Sequence, residues 1–214
     1  MTLLTMIVKM GEGLSKTCAI FFLTLLFSLP LGMIVALLRM SKNRIVSGIT
    51  RFFISILRGT PLMLQLFAVL YVPGLVFGIP MQSRMTAALI AFIINYAAYF
   101  SEIFRGGIES IPKGQYEAGQ VLGMTKTQVF FKVVLLQVIK RIVPPMGNEI
   151  ITLVKDTSLA RVIAIAELIM AAERYAGRGY IWPLFYTGAF FLIFNGLLSL
   201  LFHFIEKKLD YYKG

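Results

Sequence analysis

The feature that most constrains this 214-residue chain is a series of long segments without a charged residue. Residues 17–38 contain 22 consecutive uncharged positions and residues 59–79 contain 21. A bilayer core of about 30 Å is crossed by about 20 helical residues. Hydrophobic residues make up 58% of the chain and charged residues 14%, well below the roughly 25% of an average soluble domain. This balance excludes a soluble domain and a disordered chain.

Five segments of this kind predict an all-α, polytopic membrane protein with about five transmembrane helices in one domain over residues 1–214. The predicted spans cover 17–38, 59–79, 85–104, 144–165 and 183–205. Proline and glycine mark their ends, because both residues disfavour an uninterrupted helix. We therefore expect the turn Pro73-Gly74 and the stretch Gly78-Ile79-Pro80 to mark the far side of the second span, and Pro144-Pro145 to open the fourth.

The segment 105–141, between the third and fourth spans, is too polar to cross a membrane. Its apolar part, 129–139, has 11 residues and contains Lys132. That length is about half of a crossing. We predict one or two amphipathic helices at the cytoplasmic surface here, and a polar hairpin at 167–182.

The net charge of +11 predicts the orientation of the chain. With the N-terminus outside and five crossings, thirteen Lys and Arg residues fall inside and five outside. Cytoplasmic loops retain such residues, so the N-terminus is expected outside and the C-terminus in the cytoplasm. The five outer residues are Lys9, Lys16, Arg84, Arg174 and Arg178. Among apolar spans the excess reports topology rather than a nucleic-acid partner, and the single Cys and single His predict no disulfide and no metal site.

Four sequence motifs, taken in their order along the chain, resemble those of a known family. Glu117-Ala118-Gly119, followed after three residues by Gly123, resembles the EAA loop of ABC importer permeases. Gly119 departs from that pattern by replacing an alanine, and Leu136 by replacing a proline. The flanking motifs lie at 58–62, 99–108 and 155–159. Over about residues 13–206 the chain is therefore similar to permease subunits of type I ABC importers, in the polar amino acid subfamily.

This resemblance implies a permease fold with a cytoplasmic coupling helix that contacts a separate ATPase through Glu117, Ala118, Gly119 and Gly123. It also implies two ABC ATPase subunits, a second permease subunit (identical or related), an external substrate-binding protein, and a location in the bacterial plasma membrane. The chain has no Gly-x4-Gly-Lys-Ser/Thr motif for ATP phosphates. It is therefore expected not to be an enzyme, with ATP and Mg²⁺ on the ATPase. The alternative for the loop is a helix lying on lipid headgroups.

Polar residues at membrane depth are the first candidate ligands, because such residues are costly there. Glu149, Thr152 and Asp156 share one helical face of the fourth span, and Thr157 and Ser158 follow. A zwitterionic amino acid needs an acceptor for its ammonium group and donors for its carboxylate. Asp156 can accept, whereas Thr157 and Ser158 can donate. The alternative role of this segment is structural, in holding a helix end or an ion pair between helices.

A second group of candidates surrounds Pro61, which lacks an N–H and leaves carbonyls free near Leu57 and Arg58. Broken helices often line substrate sites in transporters. The candidates here are Thr60, Gln65, Asn95 and Tyr99. The alternative for Asn95 is a hydrogen bond between helices.

The predicted function is the permease subunit of an ATP-driven importer of a polar amino acid. Arginine, lysine, histidine and glutamine are candidates, and the small acidic excess in the fourth span favours a cationic one. The alternative is an ion- or proton-coupled secondary transporter or channel that uses Glu102, Glu149 and Asp156. The loop 105–141 favours the permease, and an ion pair of Glu102 with Arg58 or Arg105 would give that residue a structural role.

Overall fold

A computed structural model describes residues 3–209, and every regular element in this part of the chain is helical. The prediction of an all-α protein is confirmed. The elements are α1 Leu3–Arg39, α2 Arg44–Gly59, α3 Leu62–Phe77, α4 Arg84–Glu109, α5 Lys113–Val121, α6 Lys126–Val129, a π-helical turn Phe130–Val134, α7 Leu135–Asp156, a 3-10 helix Thr157–Ile163, α8 Leu168–Ala176 and α9 Trp182–Leu209. Lys213, one of the predicted cytoplasmic cations, lies outside the described residues.

Three of these helices, α1, α4 and α9, are long and apolar enough to cross a membrane. Helices α2 and α3 form a fourth candidate span that is bent by 108° at their junction. The fourth predicted span falls on α7, which is more polar than the others and continues into the 3-10 helix at Thr157. The helical segment therefore begins before residue 144 and changes its geometry well before residue 165.

The expected turn at Pro73-Gly74 lies inside α3 instead of ending it. The helix continues to Phe77 and ends at Gly78, which adopts φ +68° and donates its N–H to the carbonyl of Pro73. A left-handed glycine after the last turn is a common helix end. Proline costs one hydrogen bond, which a helix inside a membrane can tolerate.

Pro144-Pro145 likewise lies inside α7 rather than at its start. The preceding apolar residues extend the helix because they have a surface to pack on. Val134 and Val138 form a buried cluster with Ile111 and Val129, which ties the start of α7 to the loop between α4 and α6.

Helix α4 is the centre of the fold and contacts α1, α2, α3 and α7. Small residues allow the close approach of its neighbours. A Cβ atom on Gly32 of α1 would lie 2.9 Å from the Cβ of Phe100 in α4. Helices α7 and α9 meet in the same way, since a Cβ atom on Gly147 would lie 2.9 Å from the ring of Phe202.

Helix α8 packs on the N-terminal turns of α1 at one end of the bundle, and we call residues 3–16 and 168–176 the α1–α8 knob. Met6 and Met10 form a separate buried cluster there with Leu168 and Tyr175. The expected hairpin at 167–182 is therefore built around a helix, because four apolar residues of α8 are buried.

Glu167 begins α8 by accepting hydrogen bonds from the N–H groups of Ile169 and Met170, at 2.8 and 2.7 Å. The residue is fully buried. Burial raises the pKa of its carboxyl above the ordinary value, although both N–H groups oppose that shift. Glu167 therefore caps the start of α8 and also carries the electrostatic cost of a buried carboxyl group.

Candidate functional site

The break between α2 and α3 forms the first wall of a polar cavity. Because Pro61 has no N–H, the carbonyl of Leu57 four residues earlier lacks its helical donor. Gln65 Nε2 and Asn95 Nδ2 replace that donor, at 2.8 and 3.3 Å from the Leu57 oxygen. Asn95 Nδ2 also donates to Gln65 Oε1 at 3.0 Å. Side chains of α3 and α4 therefore brace the break.

Thr60 lies at the same break and joins this network. Its hydroxyl donates to the carbonyl of Ile56 at 2.8 Å and accepts from Gln65 Nε2 at 2.9 Å. Thr60 and Asn95 line the cavity, whereas Gln65 lies behind them. The role of Gln65 here is to hold the two lining residues and the free carbonyl together.

The second wall comes from α7, where Glu149, Thr152 and Asp156 line the cavity together. The Thr152 hydroxyl donates to the carbonyl of Asn148 at 2.9 Å. Tyr96 of α4 donates its hydroxyl to Asp156 Oδ2 at 2.8 Å, and only 2% of Tyr96 is exposed. Asp156 therefore has one oxygen held by a buried donor while its carboxylate still faces the cavity.

A cation completes the site. The guanidinium carbon of Arg58 lies 5.1 Å from the centre of the Tyr99 ring, which is within cation–π distance. Both residues line the cavity, whose volume is about 500 Å³. One guanidinium and two carboxylates, those of Glu149 and Asp156, thus face the same space.

Six of the nine predicted substrate ligands meet at this cavity: Thr60, Asn95, Tyr99, Glu149, Thr152 and Asp156. Gln65, Thr157 and Ser158 do not line it. Thr157 is fully buried and donates to the carbonyl of Val154 at 2.7 Å, and Ser158 donates to that of Lys155 at 2.8 Å. These two hydroxyls are used within their own turns.

The sequence analysis did not select Arg58 and Tyr96 as ligands. Arg58 carries a usable signal, because it is a cation at membrane depth directly before the Gly59-Thr60-Pro61 break. The only signal at Tyr96 is its place three residues before Tyr99 on the same helix, and many aromatic residues in such a chain share that spacing.

Glu102 lies away from the cavity and pairs with cations near the C-terminal ends of α1 and α4. It pairs with Arg105 at 2.6 Å and with Arg39 at 3.9 Å. Arg105 is one of its two expected partners, and Arg39 takes the place of Arg58. Because Glu102 does not line the cavity with Glu149 and Asp156, the three carboxylates do not form one polar path in the described residues.

The four residues predicted to contact an ATPase divide into two pairs. Glu117 and Ala118 are exposed, whereas Gly119 is buried, and a Cβ atom on it would lie 2.5 Å from Val129. Gly123 adopts φ +72°, which favours glycine. The two glycines therefore have reasons within the loop itself, and Gly119 accounts for the departure from the family pattern.

The loop also presents an apolar surface that the sequence analysis did not select. Val121 and Leu122 follow the exposed pair and are 88% and 79% exposed. They lie at the end of α5, where the chain turns towards α6. An exposed apolar pair on an otherwise polar loop is typical of a contact surface for another protein.

Among residues 3–209, no group of three or more His, Cys, Asp and Glu side chains is placed to hold a metal ion. The arrangement at the cavity instead suits a ligand that carries both charges. A multi-pass helical bundle with a polar cavity at a broken helix defines the class of membrane permeases.

Comparison with known proteins gives the family. Residues 28–211 match the family model described as "Binding-protein-dependent transport system inner membrane component". The chain belongs to this family, and the predicted relationship to ABC importer permeases is confirmed.

Named relatives and a solved structure support the same family. The L-cystine transport system permease protein TcyB of Bacillus subtilis (strain 168) is 41% identical over 95% of this chain and 87% of its own. A putative glutamine transport system permease protein GlnP of Rickettsia felis is 32% identical over 92% and 91%. A crystal structure of an amino acid ABC transporter with histidines matches with a TM-score of 0.84, at 30% identity over 97% of this chain and 99% of that one.

Proposed function

We propose that this chain forms the translocation path of an ATP-driven importer for a polar amino acid, and that the cavity at the α2–α3 break binds the substrate. The observation that carries the proposal is one guanidinium and two carboxylates facing a cavity of about 500 Å³. Thr60, Asn95, Tyr99 and Thr152 supply further polar surface. The names of the relatives are those of amino acid permeases, which supports the same substrate class.

Each charged group of the substrate has a counterpart in this cavity. The substrate carboxylate would pair with Arg58, because a guanidinium offers two parallel N–H donors to a carboxylate. The substrate ammonium would pair with Asp156, which Tyr96 holds by a hydrogen bond of 2.8 Å. Arg58 replaces Thr157 and Ser158 as the expected donor, since those hydroxyls bond to their own turns.

Glu149 is then the residue that decides the side chain of the substrate. With Arg58 and Asp156 neutralising the zwitterion, one carboxylate remains in the cavity. That remaining charge favours a second cationic group, as in arginine, lysine or protonated histidine, and L-cystine also carries two ammonium groups. Glutamine would instead use its amide as a donor to Glu149.

We further propose that two ABC ATPases drive the transport, with ATP and Mg²⁺ bound on those chains. Glu117, Ala118, Val121 and Leu122 would contact the ATPase, because all four are exposed on the coupling loop. Closure of the ATPase pair on ATP would draw two such loops together and open the spans outward, and hydrolysis would reset them.

A second permease subunit, identical or related, would complete the path. Gly59 and Pro61 line the cavity and are exposed in the isolated chain, so another subunit can cover this side. The distribution of Lys and Arg supports an outer N-terminus and a cytoplasmic C-terminus. An external binding protein would then deliver the amino acid at the α1–α8 knob and the segment 78–83.

The test is uptake by the chain reconstituted in lipid vesicles with its ATPases, its partner permease and its binding protein. Uptake of labelled arginine, lysine, histidine, glutamine and cystine would be measured with and without ATP. The ATP is supplied on the side of the membrane that holds the ATPases, and the binding protein is supplied on the opposite side. We expect uptake of at least one of them only with ATP. Uptake that follows a proton gradient without ATP would instead establish the secondary transporter.

The coupling surface has a separate test. Leu122→Asp places a charge at the exposed tip of the loop and is expected to abolish co-purification with the ATPase, because an apolar contact would have to bury that charge. Thr127→Ala, at another exposed position of the same loop, is the control. Normal ATPase recovery with Leu122→Asp would refute this contact.

A further inference from the structure

A second cavity, also of about 500 Å³, lies within the α1–α8 knob, and its lining is strongly basic. Lys9 and Lys16 of α1 face it together with Arg174 and Arg178, although more than 150 residues separate the two segments along the chain. Among the described residues, Glu12 supplies the one carboxylate of its lining. We call this space the cationic cleft.

The fold holds the two walls of this cleft together. A Cβ atom on Gly13 would lie 3.0 Å from the Cβ of Ala171, so glycine permits direct contact of α1 with α8. Thr17 Oγ1 accepts a hydrogen bond from the N–H of Leu168 at 3.1 Å. The basic residues are therefore presented by a packed scaffold with its own buried cluster.

Charge pairing within the knob leaves the cleft positive. Lys9 is bonded to Glu12 at 2.7 Å. The nearby carboxylate of Glu173 forms an ion pair with Arg161, outside the cleft lining. Among the described lining residues, basic side chains outnumber carboxylates, since Lys16 and Arg174 are present in addition to the paired Lys9.

This concentration runs against the expected distribution of charge. In the proposed orientation the outer side carries few Lys and Arg residues. Four of the five outer cations, all except Arg84, nevertheless converge on this one cleft. A concentration of exposed cations of this kind raises the local concentration of anionic groups.

The distance by which the knob extends beyond the start of α4 distinguishes a lipid ligand from a protein ligand. Helices α1 and α4 run in the same direction, because Arg39 and Glu102 pair near their C-terminal ends. With Gly32 opposite Phe100, Lys16 is level with Arg84 at the start of α4. The residues before Lys16 then project about 20 Å beyond α4, at 1.5 Å per residue. In the proposed orientation, with Arg84 at the outer membrane surface, a headgroup layer of about 5–8 Å would leave the upper half of the cleft above it.

We infer that the cationic cleft is a docking site for Asp and Glu side chains of a soluble external protein. Complementary charges of this kind orient an encounter and accelerate it. The identity of that protein rests on the proposed function, under which it is the binding protein that delivers the amino acid. The contact itself requires only an outer N-terminus.

The first experiment is zero-length carbodiimide cross-linking on intact cells, which joins a lysine amine to a carboxylate in direct contact. An amide between Lys16 and an Asp or Glu of an extracytoplasmic protein is expected, with the Lys9–Glu12 pair as the internal positive control. Lys16→Arg should keep the contact but lose the amide. Finding only amides within this chain would overturn the docking site.

The second experiment measures uptake in vesicles as the concentration of the purified binding protein is varied. The double variant Lys16→Gln, Arg174→Gln is expected to raise the concentration for half-maximal uptake about tenfold at low salt. Added salt should shrink the difference from wild type, because it screens exposed charges. The matched control is Arg84→Gln, which removes the outer cation that lies off the cleft.

The outcomes separate the two proposals. Wild-type half-saturation in the double variant, with normal uptake, would refute the cleft and leave the importer intact. A defect that appears only with anionic phosphatidylglycerol, and not in phosphatidylcholine vesicles, would assign the cleft to lipid and also refute protein docking. Absence of uptake in every variant, with the Lys16 amide present, would refute the importer and leave the docking contact.

Discussion

Two helix interruptions border the polar cavity, and they are stabilised in opposite ways. At the α2–α3 break, the free carbonyl of Leu57 is bonded by Gln65 and by Asn95, which is 38 residues away. At the end of α7, Thr157 and Ser158 donate to carbonyls three residues earlier. The first break depends on tertiary contacts, and the second is closed within its own turns.

The difference separates residues that end a helix from residues that line the cavity. Both interruptions place polar side chains beside one cavity, yet only some of these side chains have groups directed into it. Asp156 lines the cavity and accepts a hydrogen bond from Tyr96, whereas the hydroxyls of the next two residues are used within their own turns. Substitutions on the two sides of each break should therefore have different consequences.

The largest effect is expected for Asp156→Asn, which keeps the shape of the side chain and removes its charge. Loss of a charge-assisted hydrogen bond of about 3 kcal/mol corresponds to about a 100-fold fall in the uptake rate. Lys155→Gln is the matched control, since Lys155 is adjacent, exposed and off the cavity. Co-purification with the ATPase should remain normal for both. Wild-type uptake by Asp156→Asn would remove this residue from the binding site.

The next effect tests the tertiary brace. Asn95→Leu removes a donor to both Leu57 and Gln65 in a buried place. We expect the free energy of unfolding to fall by about 1–3 kcal/mol, with a loss of uptake, because a buried polar group is left unpaired. Thermal unfolding in detergent measures the first and vesicle uptake the second.

The control for the brace is Ser101→Ala, at a buried hydroxyl of the same helix that bonds only its own turn, to Ala98 at 2.7 Å. It should lose less stability and keep its uptake. Equal effects of Asn95→Leu and Ser101→Ala on uptake would mean that the α2–α3 break needs no brace for function.

A smaller effect is expected at the locally closed end. Thr157→Val keeps the volume of the side chain and removes its bond to Val154, which should lower the free energy of unfolding by about 1 kcal/mol. Uptake per folded molecule should stay at the wild-type level. A changed concentration of amino acid for half-maximal uptake would restore Thr157 as a ligand.

The smallest effect is expected at Glu167, whose side chain caps α8 locally and is also buried by tertiary contacts. Its raised pKa means that the folded protein holds this proton more tightly than the unfolded chain. The associated stability is present below the ordinary pKa of 4.5 and is lost as the pH rises through the folded pKa. Glu167→Gln removes this titration and keeps one acceptor.

Lowering the pH from neutral towards 4.5 should therefore raise the unfolding temperature of the wild type relative to Glu167→Gln by a few degrees. Glu167→Ala, which removes the cap, should cost about 1 kcal/mol at either pH. If the difference in unfolding temperature between the wild type and Glu167→Gln does not depend on pH, burial does not shift the pKa of Glu167.

Much of the site could be predicted from the order of residues along α7, because Glu149, Thr152 and Asp156 follow the repeat of a helix. Pro61 also predicted a free carbonyl at Leu57, since the missing N–H is a covalent property. The partners of that carbonyl could not be predicted, because Gln65 and Asn95 reach it only after α3 and α4 have packed. Pro73 and Pro144 were misjudged for a related reason, since local helix propensity gave way to the surrounding packing.

Hydropathy, charge distribution and motif order were sufficient to establish an all-α permease, because the cost of placing polar groups in a bilayer acts on every residue separately. Contacts between distant segments decided the rest. Arg58 reached the cavity beside Tyr99, Glu102 was held away from it, and four cations of the predicted outer side converged on one cleft. Interactions of this kind depend on how helices pack against one another, and no single segment carries that information.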